Sequence, residues 1–431
     1  VSAVPPSSPT PASPPPRLDA AFHRFWAGSV VSNLADGVML TALPLLAAVL
    51  TSDPLAVAGL TVARYLPWLL FGLVAGVWVD RGDRVRMMVA ANLVRAAAIV
   101  ALAVLVATGQ AGIAWLYVVM FAVMTCEIVY DVAARAMVPS LARGAVDQAN
   151  GRLVSGREVA QEFVGAPLGG FLFVVAAFLP LAVNAGAYVV GAVVLLGLPL
   201  AVRGPGARAA REGGGVRARR GSVGADLAEG VRHVWGDVSL RALVVFSSVS
   251  NLGAGALMGV FVLVVQVHFG VPGPLFGVFL AVAAVGAIGG ALSASWARER
   301  WGRFAVVVAG FLGQAGWCAV FALAPNAWVA ALAWAGVAAS GTVAVVLLAG
   351  IVQQVVPERL MGRVLSVKKM SGMGLVAVGA LVGGLLGRVH LMAPAWFGVV
   401  VFVGATVWVW GRLREGAARA DEAERLARRG G

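Results

Sequence analysis

Twelve apolar stretches of about 20 residues, separated by short polar turns, run through this 431-residue chain, and about 20 residues is what a helix needs to cross the hydrocarbon of a bilayer. They fall at roughly 24–50, 55–79, 87–107, 112–134, 152–178, 181–202, 240–267, 274–296, 304–324, 327–352, 364–386 and 394–411. Membrane-spanning strands would alternate apolar and polar residues, whereas segments such as Ala187 to Val202 are apolar on every side. Composition agrees: 60% of the residues are hydrophobic and only 12% are charged, far from a soluble globular domain. The expected fold is an all-α integral membrane protein with about twelve transmembrane helices.

The net charge of +13 would fit a nucleic-acid binder, but its distribution argues for a membrane topology instead. Nearly all of the 33 Lys and Arg lie in the two tails and in the turns after spans 2, 4, 6, 8 and 10; Arg64, Arg95 and Arg388 fall elsewhere. The opposite turns, such as Thr51-Ser52-Asp53-Pro54 and Leu179-Pro180, are short and almost uncharged. This asymmetry puts both termini in the cytosol and makes the bilayer, not nucleic acid, the expected partner. Trp26, Trp78, Trp115, Trp235, Trp328 and Trp396 sit near span ends, where amphipathic rings prefer the headgroup level.

The chain divides at its middle. Residues 1–21, rich in Pro, Ser and Ala, read as a disordered cytosolic tail; 22–202 form a first six-helix bundle, 203–238 a basic cytosolic linker, 239–412 a second bundle and 413–431 a charged tail. Gly151-Arg152-Leu153-Val154-Ser155 opens span 5 and Gly362-Arg363-Val364-Leu365-Ser366 opens span 11, equivalent places in the two bundles and the mark of an internal repeat. Two pseudo-symmetric bundles are one of the ways transporters are built. Cys126 and Cys318 lie within spans, and the four scattered histidines have no metal-ligand spacing. No metal, cofactor or enzymatic nucleophile is expected.

Charge at membrane depth is costly and marks function. Asp36 lies about 18 Å into span 1 and Arg64 about 24 Å up span 2 from Asp80, depths that permit a salt bridge. It is either a fixed structural pair or one in which Asp36 takes up a proton and changes partner. In span 4, Met120, Met124, Glu127 and Asp131 share one helical face. Met residues alone would read as packing, but two carboxylates direct that face toward protein or a wet cavity. Arg157, Glu158 and Glu162 at the start of span 5 read as a mutually neutralising group. All acids at membrane depth fall in the first half.

Between spans 2 and 3 a charged hairpin carries Gly76, Asp80, Arg81, Arg84 and Arg86. Asp80 at a helix C-terminus opposes the macrodipole and calls for a neighbouring cation; the hairpin either latches one conformational state or only sets topology. Its counterpart, Gly290 to Arg303, keeps Gly290, Arg298, Arg300 and Arg303 but has no Asp to match Asp80.

This hairpin resembles the signature loop of the major facilitator superfamily. With Ser32 to Gly37, Glu127 to Asp131, and Gly165-Ala166-Pro167-Leu168-Gly169-Gly170, the chain resembles the drug and siderophore exporter branch over about residues 22–412. The resemblance implies an antiporter-like motif at Gly165, Pro167, Gly169 and Gly170, with Ala166 where Gly is frequent. It implies a gate built from Gly76, Asp80, Arg81, Arg84 and Arg86, with Asp131 completing the charge relay. It also implies that spans 1, 4, 7 and 10 line a central cavity, with Asn33, Asp36, Met120, Met124, Glu127, Asn251, Met258, Trp334 and Thr342 on its wall. Such a wall suits amphiphilic molecules, and its carboxylates suit a cationic group. The function implied is monomeric, proton-coupled export of small amphiphilic compounds; a siderophore or secondary-metabolite exporter, an uncoupled facilitator and a non-transporting scaffold are the alternatives.

Overall fold

The computed structural model describes residues 18–72, 74–142, 145–198, 223–356 and 358–430. Among the described residues every regular element is helical, and twelve helices are long and apolar enough to cross a membrane. The first half contains α1 (Ala20–Leu50), α2 (Pro54–Phe71), α3 (Val74–Arg81), α4 (Arg84–Ala107), α5 (Ile113–Ala142), α6 (Val146–Glu158), α7 (Ala166–Val175) and α8 (Leu179–Leu196). The second contains α9 (Val223–Gly236), α10 (Val238–Leu263), α11 (Gly273–Trp301), α12 (Arg303–Ala322), α13 (Ala327–Val355), α14 (Glu358–Val389) and α15 (Ala393–Gly430).

Short polar side chains start these helices where the sequence places them. Asp19, Asp53, Asp83, Asp237 and Asn326 each accept a bond from a backbone N–H in the first turn of α1, α2, α4, α10 and α13, satisfying donors that have no partner within the helix. Two predicted spans are interrupted. The 55–79 span is divided between α2 and α3, and the fifth span passes through a π-helical turn, Val159–Gly165, before Pro167, which has no N–H to donate. The tail helix is continuous with the last span, since α15 runs unbroken from Ala393 to Gly430. Residues 1–17 and 199–222, with most of the predicted tail and linker, lie outside the described residues.

The halves repeat one packing plan. Gly37 of α1 lies against the backbone of Gln161, and Gly255 of α10 lies against the backbone of Val376; a Cβ at either glycine would fall well inside contact distance of a carbonyl oxygen, so only Gly lets these helices approach so closely. The two Gly-Arg-x-x-Ser segments also match: Ser155 bonds the Gly151 carbonyl and Ser366 the Gly362 carbonyl. Even-numbered spanning puts both ends of the chain on one face. At the opposite face the halves are joined. Gly384 and Gly387 of α14 pack on Leu55 and Pro54 of α2, and Gly277 of α11 packs on Ala166 and Pro167. There Arg388 donates two bonds to Asp53, 2.7 and 2.6 Å long, a bidentate ion pair between halves.

Candidate functional site

The first half buries an ionic cluster at membrane depth. Arg95 of α4 is fully buried, and Asp36 of α1 and Glu127 of α5 are each 8% exposed. One Arg95 nitrogen lies 3.3 Å from Asp36 and another 2.7 Å from Glu127. Tyr188 of α8 donates to Asp36 at 2.6 Å. The guanidinium is sandwiched by rings, 4.9 Å from the Tyr188 centroid and 5.1 Å from that of Tyr130, contacts that favour a desolvated cation. Around it, Asn92 donates to Ser32 at 2.9 Å and Asn184 to the Ala35 carbonyl. Four helices thus converge on one guanidinium. Buried ion pairs contribute little net stability because desolvation offsets their attraction, so a cluster this elaborate points to function. Two carboxylates share one cation; one added proton makes the group neutral.

Of the two arginines at depth, Arg95 and not Arg64 pairs with Asp36 among the described residues. Arg64 makes no ion pair among the described residues; its guanidinium lies 5.6 Å from the Tyr65 ring centroid. Depth arithmetic admits either arginine, but only helix packing decides which one faces α1. Arg95 was visible as the lone cation of its span, eleven residues or about 16 Å in from Arg84, with Asn92 one turn away.

Asp36 and Glu127 reach the wall of a cavity of about 320 Å³. From the first half it takes Met39, Leu40 and Leu43, then Arg64, Tyr65 and Trp68, then Met120, Met124 and Asp131, and finally Arg157 and Gln161; from the second half it takes Lys369 and Met373. A second, neighbouring cavity of about 240 Å³ shares Leu40, Arg64 and Tyr65 and adds Met258, Phe261 and Phe276. Of the expected lining, Asp36, Met120, Met124 and Glu127 border the larger cavity and Met258 the smaller, while α2, the fifth span and α14 also contribute wall. Asn33, Asn251, Trp334 and Thr342 line neither of these cavities. Asn251 donates to the Ser247 carbonyl, and Trp334 is buried against Phe261, ring centroids 4.4 Å apart. Lys369 escaped the sequence reading, which placed ionisable groups at depth in the first half alone. Its signal was Lys368-Lys369 within an otherwise apolar span, hidden by proximity to the charged turn.

The described side chains of the charged hairpin make both local and inter-span contacts. Asp83 caps α4 and lies 3.4 Å from Arg86. Arg84 donates to the Ala136 carbonyl of α5 at 2.8 Å, tying the hairpin to the fourth span. Asp131 pairs with Arg135 at 3.2 Å and Arg157 at 3.6 Å, so among the described residues it serves the fifth span rather than the hairpin. Arg157 also bonds Gln161. Gly76 lies within α3, as do Asp80 and Arg81, whose side chains, like that of Glu162, lie outside the described residues. In the antiporter-like motif, Gly165 and Gly169 let the fifth span press on Gly37 and Val38 of α1, and Thr41 bonds the Ala166 carbonyl at 2.8 Å. Pro167 faces Gly277 of the other half, and Gly170 is buried. The motif fastens the fifth span to its own half and to α11 together.

Comparison with known proteins agrees with this architecture. A family profile described as transmembrane secretion effector matches residues 12–427. Macrolide efflux protein A of Streptococcus pyogenes is 32% identical over 77 residues, a segment covering 18% of this chain and 19% of that protein. Among solved structures, the nucleoside transporter NupG superposes with a TM-score of 0.69 at 12% identity, covering 92% of this chain and 99% of its own. A bacterial homologue of the iron transporter ferroportin, in an inward-facing state, gives 0.71 at 14% identity over 92% of this chain and 98% of that one. A bacterial homologue of the lysosomal transporter Spinster gives 0.65 at 14% identity over 96% and 98%. At these identities the structures establish the shared fold and nothing about cargo. With nearly its whole length matched to that profile and its two bundles of six spans, the chain belongs to the transmembrane secretion effector family of the major facilitator superfamily, a family of multi-pass membrane transporters and not of enzymes.

Proposed function

We propose that this transporter exports small amphiphilic compounds across the cytoplasmic membrane in exchange for protons, with both termini in the cytosol. The observation that carries the reading is the cluster of Asp36, Arg95 and Glu127, in which two carboxylates on a cavity wall share one buried guanidinium. Protonation of either acid releases one arm of Arg95, and a guanidinium that changes partners alters the packing of α1, α4 and α5 together. That is the kind of two-state element alternating access needs. The asymmetry of Lys and Arg between the two sets of turns supports the orientation. The adaptable Met and aromatic wall supports amphiphilic cargo, and the short likeness to a macrolide efflux protein supports the outward direction. The junction of Asp53 with Arg388 supports a state closed at the outer face.

Proteoliposomes with an imposed pH gradient test this. Gradient-driven flux of an amphiphilic dye, lost in Asp36→Asn and Glu127→Gln while both variants insert and remain folded, is the expected outcome. Flux of equal rate with and without the gradient would leave an uncoupled facilitator.

A further inference from the structure

The cavity acids are occupied and two of its cations are not. Asp36 and Glu127 share Arg95, while Asp131 is held by Arg135 and Arg157. Arg64 of α2 and Lys369 of α14 make no ion pair among the described residues. Their recorded contacts are with aromatic faces: Tyr65 for Arg64, and Trp68, 3.5 Å from the Lys369 ammonium to the ring centroid. Trp68 is one helical turn from Arg64 on α2, so the two cations flank one stretch of wall. They also come from opposite halves of the molecule. The smaller cavity adds an independent observation: Arg64 is the one charged residue on its wall, which is formed by both halves and is apolar apart from Thr61 and Tyr65.

We propose that Arg64 and Lys369 form a divided oxyanion site, and that the cargo is an apolar body carrying a carboxylate, phosphate or sulfate. The proposal rests on the exporter reading and replaces the cationic cargo that the carboxylates alone would favour. Unpaired charge at membrane depth is costly, and aromatic faces offset only part of that cost. An anion between Arg64 and Lys369 supplies the missing counter-charge through charge-assisted bonds, while the smaller cavity receives the apolar portion. Without an anion, drawing the halves together around the site brings two like charges closer. With one bound, the same movement strengthens both contacts, so the cargo itself acts as the counter-ion for closure.

The full chain in nanodiscs of zwitterionic lipid tests this with two dansyl probes of equal length, one ending in a carboxylate and the other in a trimethylammonium, with empty nanodiscs correcting for partition into lipid. The carboxylate probe is expected to bind more tightly. Arg64→Gln and Lys369→Gln each weaken it about tenfold or more, Arg64→Lys and Lys369→Arg retain most of the affinity, and none of them weakens the trimethylammonium probe. Tighter binding of the trimethylammonium probe, or unchanged carboxylate binding in both Gln variants, overturns the site. Unchanged affinity in nanodiscs enriched in phosphatidylglycerol supports a free amphiphile as occupant; displacement there assigns the cations to lipid headgroups and overturns their role in cargo selection. Failure of the exporter reading shows separately. If the carboxylate probe binds as expected but no pH gradient drives it, coupling falls and the site stands; if a gradient drives the trimethylammonium probe alone, coupling stands and the site falls.

Discussion

The two halves share a fold and differ where charge is buried. Matching Gly37 with Gly255 by their equivalent packing, and counting from the starts of α4 and α12 and of α5 and α13, places Ala254, Gln314 and Gly341 where the first half has Asp36, Arg95 and Glu127. The correspondence is physical as well as positional: a Cβ on Gly341 would lie 2.9 Å from the Gln314 amide nitrogen, as Glu127 lies beside Arg95. One bundle therefore has a titratable centre and the other a neutral copy of it. The lesson is that the architecture does not need the charges. Under the proposed proton exchange, what the first half gains by keeping them is a response to protons.

The charged turns differ in the same instructive way. The turn ending in Arg303 carries Glu299 but no Asp matching Asp80, and two of its cations, Arg298 and Arg303, are paired from elsewhere in the chain. Glu424 of α15 lies 2.9 Å from both Arg298 and Arg303, and Asp421 lies 3.1 Å from Arg303. Acids from the far end of the chain thus serve this turn and fasten the tail helix beneath the second bundle.

Four experiments bear on this contrast. The largest effect is expected from Arg95→Gln, which gives the first half the second half's residue but strands two buried carboxylates. Loss of about 3–5 kcal/mol is expected, read as a lowered unfolding midpoint of the purified protein. Combining it with Asp36→Asn and Glu127→Gln should recover most of that stability while gradient-driven flux stays absent; a triple variant that still couples would mean the contrast between halves has no functional content. Next, Tyr188→Phe removes the hydroxyl that donates to Asp36 and is expected to cost about 1.5–3 kcal/mol, as for a bond to a charged group, and to shift the pH profile of flux. An unshifted profile would show that this bond has no part in coupling.

A smaller loss, about 1–2 kcal/mol by the same scale for charge-assisted bonds, is expected for Glu424→Gln, because Arg303 is 3% exposed and keeps its 2.8 Å bond to Gln354. Thermal unfolding read beside gradient-driven flux would show whether tail docking matters only to stability. The smallest effect concerns the outer junction. Two bonds from Arg388 hold the Asp53 carboxyl below its ordinary range. A depressed carboxyl contributes above its unfolded pKa and loses that contribution only as pH falls through the depressed folded value, so the junction should be constant from about pH 5 upward. The distance between spin labels attached at Thr51 and Val389 is expected to be constant over that range. A lengthening on acidification between pH 7 and pH 5 would break the assignment.

Much of the fold was legible because lipid imposes a simple rule: each span must be helical and apolar over a fixed length. The spans and the duplication followed from local patterns. The candidate site was legible only in part. Asp36 and Glu127 stood out because a carboxylate at membrane depth is conspicuous in any apolar run. Their partner did not, because Arg64 and Arg95 have similar depths and helical periodicity does not say which helix is the neighbour. Lys369 was masked by the charged turn close to it. The acids that serve Arg298 and Arg303 were out of reach of local reading, lying more than a hundred residues along the chain.

By itself, then, the sequence determined the solvent, the number of spans, the repeat and which side chains are too costly to bury without a purpose. Tertiary structure decided the pairings: Arg95 rather than Arg64 for Asp36, Arg135 and Arg157 for Asp131, the tail helix for Arg303, and the exposure of Arg64 and Lys369 to one cavity. The physical reason is that burial cost belongs to a residue and its depth, which one chain read in order reveals, whereas an ion pair belongs to two helices whose adjacency is set by the packing of all their faces at once.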